Sequence, residues 1–361
     1  MSKINFNMSV SIDDCVNIIK TIGSEITPII VSEPGCGKSS ILKMLEADLG
    51  TDDYDFIYVD CPVKDMMDVA ASIPNHASKT LEYYVSSLFK LGNGKAKVIM
   101  LDEFMKSPKL LQIIFTRLML EHCVGDEPLP MSKSGKKSIV FGTSNNSSDG
   151  VGDSMLAHVG NRVCILPMAK PNAEQWNAWA TKHKIARPIR AWVAMTPKAM
   201  RSYLDSDESD NPYIFKPSSP ARSFVSPRSL AKASPIVEAK DIIGEHAMMV
   251  ALSGTIGEAA AKSMSAFIAL EGKLISTADV LKSASTIKVP EDVSAQVMML
   301  FEAVDVLEVQ DDLNKYMQFV ERIPSSEVQS VFFTMIMRGK PKLARYNQAI
   351  NTWATNNHKL M

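Results

Sequence analysis

The sequence predicts an α/β protein with a parallel sheet, followed by a helical C-terminal part. Short apolar runs of strand length alternate with helix-like stretches through about the first 165 residues, which is typical of a parallel sheet covered on both faces. A glycine-rich turn joins the first of these runs to a helix-like stretch. From about residue 228 onward, long amphipathic stretches recur with almost no strand signal.

The elements of the N-terminal part can be predicted in order. Residues 12–22 have apolar side chains at helical spacing and precede a β-branched run at 27–31. A helix after the glycine-rich turn should end at Gly50, which fits a C-cap. The stretches between the strands read mostly as helix, and the further predicted strands are FIYVD (56–60), KVIMLDEF (97–104), SIVFGTSN (138–145) and RVCILPM (162–168).

The sequence divides into three predicted parts. Residues 1–168 form the α/β core, and residues 169–227 hold a connecting helix and a segment rich in Ser, Pro and Asp. Residues 228–361 form the helical remainder, with Gly and Pro as punctuation.

The composition narrows the class of protein. The chain is 46% apolar and 22% charged with a formal net charge of -1, so it is globular and exerts no overall attraction on nucleic acid or acidic lipid. Its five cysteines form no C-x-x-C pair, which argues against a disulfide framework and a zinc site and fits a reducing cytoplasm. No run approaches the roughly 18 apolar residues needed to cross a bilayer, so we expect a soluble protein with no membrane partner.

The stretch SEPGCGKSS (32–40) is similar to a phosphate-binding loop. The usual pattern begins with glycine where this chain has Ser32, but that position is outside the tight turn, so we expect binding to survive. The following helix would direct its positive N-terminal end at the phosphates, with Lys38 on the phosphates and Ser39 on magnesium. The predicted ligand-binding residues of the loop are Pro34, Gly35, Cys36, Gly37, Lys38, Ser39 and Ser40.

Two further strands are predicted to end in polar residues at the same sheet edge, where ligands of α/β sheets bind. Asp102 and Glu103 close one strand; Asp102 could hold magnesium directly or through water, and Glu103 could polarise the attacking water. Asn145 closes another and could contact the γ-phosphate or that water. Thr143 and Ser144 are the alternatives.

These motifs together resemble those of an AAA+ ATPase, and most closely the MoxR-like branch, whose members are bacterial or phage-encoded. EPGCGKS is similar to Walker A and MLDEF to Walker B, while FGTSN, HVGNRV and SPRSL resemble sensor 1, the arginine finger and sensor 2. The stretches PNAEQWNAWA and GTIGEAAAKSMSAFIAL also resemble this branch, and the resemblance covers roughly residues 20–325.

The resemblance implies an αβα sandwich core that binds ATP and Mg2+, followed by a helical lid and a further C-terminal helical module. It implies that Asn145 is sensor 1, that Arg162 is an arginine finger acting in a neighbouring subunit, and that Arg228 is sensor 2 at the start of a lid helix. Because an arginine supplied in trans requires a head-to-tail contact, it also implies a closed ring, which in this family is a hexamer.

The resemblance also implies work on another macromolecule, and three alternatives stay open. The first is remodelling of a protein complex, with a von Willebrand A-type domain protein as a partner. The second is nucleic-acid translocation or loading through a basic pore loop that carries Lys133, Lys136 and Lys137. A solvated turn explains those lysines equally well. The loop also holds no aromatic side chain on which a base could stack. The third is an assembly scaffold with little hydrolysis. The candidate pore loops are residues 63–84 and 125–138.

Overall fold

A computed structural model describes residues 9–146, 160–205, 208, 210–218, 222–270 and 274–357. The chain forms two compact units, Met1–Lys170 and Pro171–Met361. Each unit is described separately below. His158 and Val159 of the HVGNRV motif lie outside the described residues.

The first unit is built on a five-stranded parallel sheet. The order of its strands is β2-β5-β8-β1-β9, and every neighbouring pair is parallel. These five strands are the five apolar runs that the sequence predicts, so the α/β class with a parallel sheet is confirmed. The strands of this unit are β1 (Pro28–Ser32), β2 (Tyr54–Asp60), β3 (Ala70–Asn75), β4 (Thr80–Val85), β5 (Ala96–Asp102), β6 (Cys123–Val124), β7 (Glu127–Pro128), β8 (Ile139–Asn145) and β9 (Cys164–Pro167).

Among the residues of this unit that the structure describes, three helices cover the two faces of the sheet. Helix α1 (Ile12–Ile22) begins with a capping box in which Ser11 and Asp14 satisfy each other's backbone N–H groups. Helix α2 (Ile41–Leu49) ends, as predicted, at Gly50, whose φ of 72° favours glycine. Helix α3 (Lys109–Glu121) lies on the other face, where its Phe115 and Leu118 join a core with alternate residues of the strands.

Side-chain alternation decides which face of the sheet each residue meets. In β1, Ile30 packs with the core that includes α1 and α2, whereas Ile29 packs with the core that includes α3. The same alternation separates Met100 from Leu101 in β5. Since successive side chains of a strand point to opposite faces, every second residue of these strands faces α1 and α2.

The segment from Cys61 to Lys95 departs from the prediction. It contains an antiparallel hairpin of β3 and β4 and short 3₁₀ turns, with no α-helix among its residues, all of which are described. The expectation that the stretches between strands are mostly helical is therefore wrong here. Residues Val69 and Phe89, on either side of the hairpin, are buried and anchor the segment on the α3 face of the sheet.

The second unit is helical in the part of it that the structure describes, which confirms the predicted helical C-terminal part. One apolar core joins residues from Ala173 to Trp353, and no described helix in the chain is both long and apolar enough to cross a membrane. The helices are α4 (Ala173–Lys182), α5 (Arg187–Met195), α6 (Pro227–Glu238), α7 (Lys240–Ile243), α8 (Glu245–Ile256), α9 (Glu258–Leu270), α10 (Thr277–Lys282), α11 (Val293–Val306), α12 (Gln310–Val320), α13 (Ser326–Gly339), α14 (Pro341–Ala344) and α15 (Gln348–Asn356).

Candidate nucleotide site

The polar residues at the carboxyl ends of three strands meet in one corner of the first unit. Ser32 is paired in register with Asn145 on the neighbouring strand, and Asp102 is the last residue of β5 on the far side of β8. Each of the three is an even number of residues from a strand residue that packs against α1 and α2. Their side chains therefore lie on the face of the sheet where the phosphate loop lies.

The loop after β1 has the backbone that a phosphate-binding turn requires. Gly35 and Gly37 have φ values of 77° and 98°, which are strained for any residue with a side chain. Lys38–Ser40 form a 3₁₀ turn that leads directly into α2, so the helical region begins at Lys38. Ser32, in contrast, continues β1 as ordinary extended strand. Its position therefore places no demand for glycine on the backbone.

Lys38 lies at the centre of the corner and is buried. Its Nζ donates to the backbone oxygens of Ser32 (3.0 Å) and Glu33 (3.1 Å). It also donates to the hydroxyl of Ser32 (3.0 Å) and to Oδ1 of Asn145 (2.9 Å). The sequence predicts Lys38 and Asn145 as members of one site, and the structure brings them into contact.

Asp102 is the second centre of the corner, and three hydroxyl groups surround its carboxylate. Ser39 Oγ lies 3.4 Å from Oδ2, and the Tyr58 hydroxyl donates to the same oxygen at 2.8 Å. Thr143 donates to Oδ1. Burial and the hydrogen bond to Asp102 raise the pKa of Tyr58, so its hydroxyl stays protonated and remains a donor.

Tyr58 and Thr143 contact Asp102, and sequence reasoning gave neither residue this role. Thr143 enters the sequence analysis only as an alternative to Asn145. A signal for both exists in the spacing: Thr143 is two residues before Asn145, and Tyr58 two before the last residue of β2, so each shares a face with its strand's end. The contact of Tyr58 also requires that β2 and β5 are neighbours, which strand patterns alone do not reveal.

Glu103 lies immediately after β5 in the left-handed region, with a φ of 51°. Its backbone N–H donates to Thr143 Oγ1 at 3.3 Å. Its carboxylate pairs with Lys106 Nζ at 2.8 Å, and the two side chains are 38% and 20% exposed. Glu103 thus keeps solvent access next to the buried Asp102.

Cys36 lies inside the loop with its side chain buried. Burial raises the pKa of this thiol to about 12, so it is protonated at neutral pH. A protonated, buried thiol is a poor nucleophile, and Cys36 contributes packing to the loop.

Neither of the two predicted arginines is in this corner. Arg162 belongs to the first unit and Arg228 to the second. Arg162 is exposed and precedes β9, whose first residue pairs with Pro28 at the start of β1. It therefore lies towards the amino-terminal edge of the parallel sheet, whereas Lys38 and Asp102 are at the carboxyl edge. Arg228 is exposed in the first turn of α6, which Ser226 caps.

The two candidate pore loops have different surfaces. The hairpin of β3 and β4 exposes large apolar side chains, namely Ile73, Leu81, Tyr83 and Tyr84. The basic turn is exposed at all three lysines. Lys137 forms an ion pair with Glu25 at 2.5 Å, and the Ser134 hydroxyl donates a hydrogen bond to Asp53 at 2.7 Å. These acidic neighbours reduce the positive charge of the basic turn. Gly125, between β6 and β7, lies against Tyr83 and Ala70 at the base of the hairpin.

The groups in this corner suit a magnesium-bound nucleoside phosphate. Ser39 and Asp102 offer a hydroxyl and a carboxylate, the hard oxygen ligands that Mg2+ prefers. Among the described residues no cluster of three His, Cys, Asp or Glu could hold a metal ion. Lys38 could neutralise phosphate, and the loop's backbone N–H groups could cradle it.

Comparison with known proteins gives fold-level likeness only. No family model and no curated protein matches the chain. One mutant structure of Thermotoga maritima RuvB matches with a TM-score of 0.36 and 13% identity, covering 71% of this chain and 72% of that chain. The match to a second RuvB mutant covers 86% of this chain and 89% of that chain, with a TM-score of 0.35 and 13% identity. The match to NtrX from Brucella abortus covers 98% of this chain and 69% of that chain, with a TM-score of 0.33 and 12% identity. These scores and identities are low, so the fold assignment rests on the strand order and packing described above.

Proposed function

We propose that this chain is a Mg2+-dependent AAA+ ATPase that uses ATP binding and hydrolysis to remodel a protein partner. The observation that supports it best is the corner at the carboxyl ends of β1, β5 and β8. There Lys38 contacts Asn145 at 2.9 Å, and Ser39 lies 3.4 Å from Asp102. A lysine, a hydroxyl, a carboxylate and an amide in this arrangement match what phosphoryl transfer from ATP needs.

Each residue of the corner has a distinct proposed role. Lys38 binds the β- and γ-phosphates, and Ser39 and Asp102 hold Mg2+, which would neutralise the phosphate charge. Glu103, which keeps solvent access, orients and polarises the attacking water, and Asn145 positions that water or the γ-phosphate. Pro34, Gly35, Cys36, Gly37 and Ser40 shape the loop around the phosphates.

Two variants test the nucleotide role. We expect Lys38→Ala to abolish ATP binding in calorimetry, because the phosphates lose their buried cation. We expect Glu103→Gln to bind ATP with affinity close to that of the unsubstituted protein and to hydrolyse it at least about a hundredfold more slowly, since the amide cannot accept a proton from water. Full hydrolysis by Glu103→Gln would remove Glu103 from its role, and undiminished binding by Lys38→Ala would overturn the site.

The proposed active form is a ring, with six subunits in the MoxR-like branch. Support comes from Arg162, which is exposed and placed towards the edge of the sheet opposite its own phosphate loop. An arginine in that position is available to a neighbouring subunit, where it would stabilise the charge that develops at the γ-phosphate. Arg228, at the start of α6, is the proposed sensor 2.

A protein partner is favoured by the surface of the hairpin. Ile73, Leu81 and Tyr84 are 45%, 67% and 57% exposed. Exposed clusters of aliphatic and aromatic side chains are typical of surfaces that bind protein. A partner with a von Willebrand A-type domain is the form that the MoxR-like resemblance suggests.

The competing function, work on nucleic acid, draws on the exposed Lys133, Lys136 and Lys137. The ATPase rate measured with and without single-stranded DNA separates the two. We expect no stimulation by DNA; stimulation that disappears in the double variant Lys136→Ala Lys137→Ala would favour the nucleic-acid function. An ATPase rate equal to that of Glu103→Gln would instead favour a scaffold that hydrolyses little.

A further inference from the structure

The Ser32 hydroxyl makes a contact that a glycine at the first position of the loop could not make. It lies 3.0 Å from Lys38 Nζ, is buried with its strand, and faces the same ammonium as Asn145 Oδ1. An ammonium has three N–H donors, and at least four protein oxygens compete for them here. A phosphate that binds Lys38 must therefore displace at least one protein oxygen.

We propose that Ser32 sets the nucleotide affinity of this site by competing with the phosphates for Lys38. This inference rests on the proposed nucleotide function. Two of the competing oxygens belong to the backbone and would remain with any residue at position 32. The hydroxyl is the acceptor that the side chain adds. A hydrogen bond to a charged group is stronger than one between neutral groups, so its loss when phosphate binds weakens the net affinity.

The competition acts on nucleotides that reach Lys38. In a phosphate loop the lysine contacts the β- and γ-phosphates, so Ser32 weakens the binding of ADP as well as ATP. The product is then released more readily than from a loop with glycine at this position. Because Ser32 has extended strand backbone, alanine can replace it without strain. The substitution also removes the hydrogen bond that the hydroxyl donates to the backbone oxygen of Glu33 at 3.2 Å.

The test compares Ser32→Ala and Ser32→Gly with Ser32→Thr, which keeps the hydroxyl, in the full chain. Calorimetric titration with ADP and with a non-hydrolysable ATP analogue is expected to give Kd values about threefold to tenfold lower for the alanine and glycine variants and an unchanged Kd for the threonine variant. The control is Thr27→Ala, at the residue just before β1 and so at the opposite end of the strand from Ser32. It removes a buried hydroxyl that donates to the backbone oxygen of Met119, and its Kd for both nucleotides should not change.

A second readout separates competition from a general structural effect. Ser32→Ala should lower Tm without nucleotide and lower it less at saturating ADP, because the hydrogen bond between the hydroxyl and Lys38 is present only in the nucleotide-free form. Thr27→Ala should lower both midpoints alike. Unchanged or higher Kd values for both Ser32→Ala and Ser32→Gly, or equal Tm losses in both states, would overturn the role of Ser32 while leaving the nucleotide site intact. If the unsubstituted protein binds neither nucleotide, the proposed function fails together with this inference.

Discussion

Asp102 shows how single residues build this site. Its carboxylate is buried and accepts hydrogen bonds from Tyr58 and Thr143. A buried carboxylate without partners would be costly, so these hydroxyls both stabilise its charge and fix its orientation. An oriented carboxylate binds Mg2+ with less loss of side-chain freedom, as partners of metal ligands commonly ensure.

If Asp102 is a magnesium ligand, as we propose, removing the Tyr58 hydroxyl should weaken magnesium binding. We expect Tyr58→Phe to raise the Mg2+ concentration for half-maximal ATPase by about threefold to tenfold, at the low end for such partners, because Tyr58 is 45% exposed and water can replace part of its contact. Titration of ATPase activity with MgCl2 measures this.

Tyr54→Phe is the control, since Tyr54 lies on the same strand at its amino-terminal end. Binding of ADP in EDTA should be unchanged in both variants. Identical magnesium dependence for Tyr58→Phe and the unsubstituted protein would contradict the orienting role.

Among the elements, the hairpin of β3 and β4 contributes little to the core. Its strands are exposed over most of their length, whereas Val69 just before it is 2% exposed and packs in the α3-side core. Val69 and the exposed residues of the hairpin strands therefore have different energetic roles. Val69 stabilises the unit, and the exposed strand residues are available for contact.

Substitutions of the exposed side chains on the hairpin strands should leave folding intact. We expect Leu81→Ser or Tyr84→Ser to change the free energy of unfolding by less than about 0.5 kcal/mol, as is usual for exposed positions. Val69→Ala, which removes buried methyl groups, should cost about 2 kcal/mol. Urea denaturation followed by circular dichroism measures both. A loss for Leu81→Ser as large as that for Val69→Ala would mean that these exposed strand residues are part of the folded core.

A buried ion pair joins two helices of the second unit. Arg190 of α5 donates to both carboxylate oxygens of Asp305 on α11, at 3.0 and 2.5 Å, and its side chain is only 4% exposed. The guanidinium also lies over the ring of Phe301, 5.4 Å from its centroid. Removing Arg190 would leave the Asp305 carboxylate with a more distant cation, Arg187 Nε at 3.9 Å, and so with weaker compensation.

Breaking this pair should destabilise the helical unit. We expect Arg190→Ala to lower the free energy of unfolding by about 3 kcal/mol, the low end for buried pairs, because Asp305 is 31% exposed and can be partly hydrated. Lys262→Ala is the matched control: its pair with Glu258 is exposed and should be worth less than about 0.5 kcal/mol. Equal effects of the two variants in urea denaturation would contradict a structural role for the buried pair.

Particular elements show what the sequence can predict. The five core strands are predictable because each is a short apolar run, and the ends of β5 and β8 are predictable because polar residues interrupt those runs. The hairpin is not predictable in this way, because neither of its strands alternates between buried and exposed residues. Such strands carry no period-two signal, and Pro74 within β3 argues against a strand.

The site shows the same division. Lys38, Ser39, Asp102 and Asn145 belong to local motifs, so their patterns are visible in the sequence. The contacts of Tyr58 and of the Ser32 hydroxyl depend on which strands are neighbours and on where a long lysine side chain ends. Neither the order of the strands nor the position of the lysine ammonium is encoded within a few adjacent residues. A local sequence pattern therefore cannot predict these contacts.

At the scale of the whole molecule, the proposed ring makes each active site a joint product of two subunits. Glu103 would come from one chain and Arg162 from the next. A subunit with Arg162→Ala still supplies a complete Glu103, and a subunit with Glu103→Gln still supplies a complete arginine.

Mixing these two inactive variants should therefore restore activity. At equal amounts and random assembly, we expect the ATPase rate to recover to about one quarter of the unsubstituted value, since that fraction of sites combines both intact residues. Steady-state phosphate release measures this, with each variant alone as the control. Absence of recovery at every ratio, with mixed assembly confirmed by tagged subunits, would contradict an arginine supplied in trans.

The alternation of the core strands also limits how this chain can change length. Ser32, Asp102 and Asn145 reach the ligand corner because each is an even number of residues from an apolar neighbour that faces α1 and α2. Loss of a single residue from the middle of β8 would turn Asn145 to the α3 face and bring apolar side chains into the corner. An insertion between His76 and Lys79 at the hairpin tip should therefore be tolerated, because it shifts the side-chain alternation of none of the five core strands. The same holds for length variation in related chains and for an inserted tag.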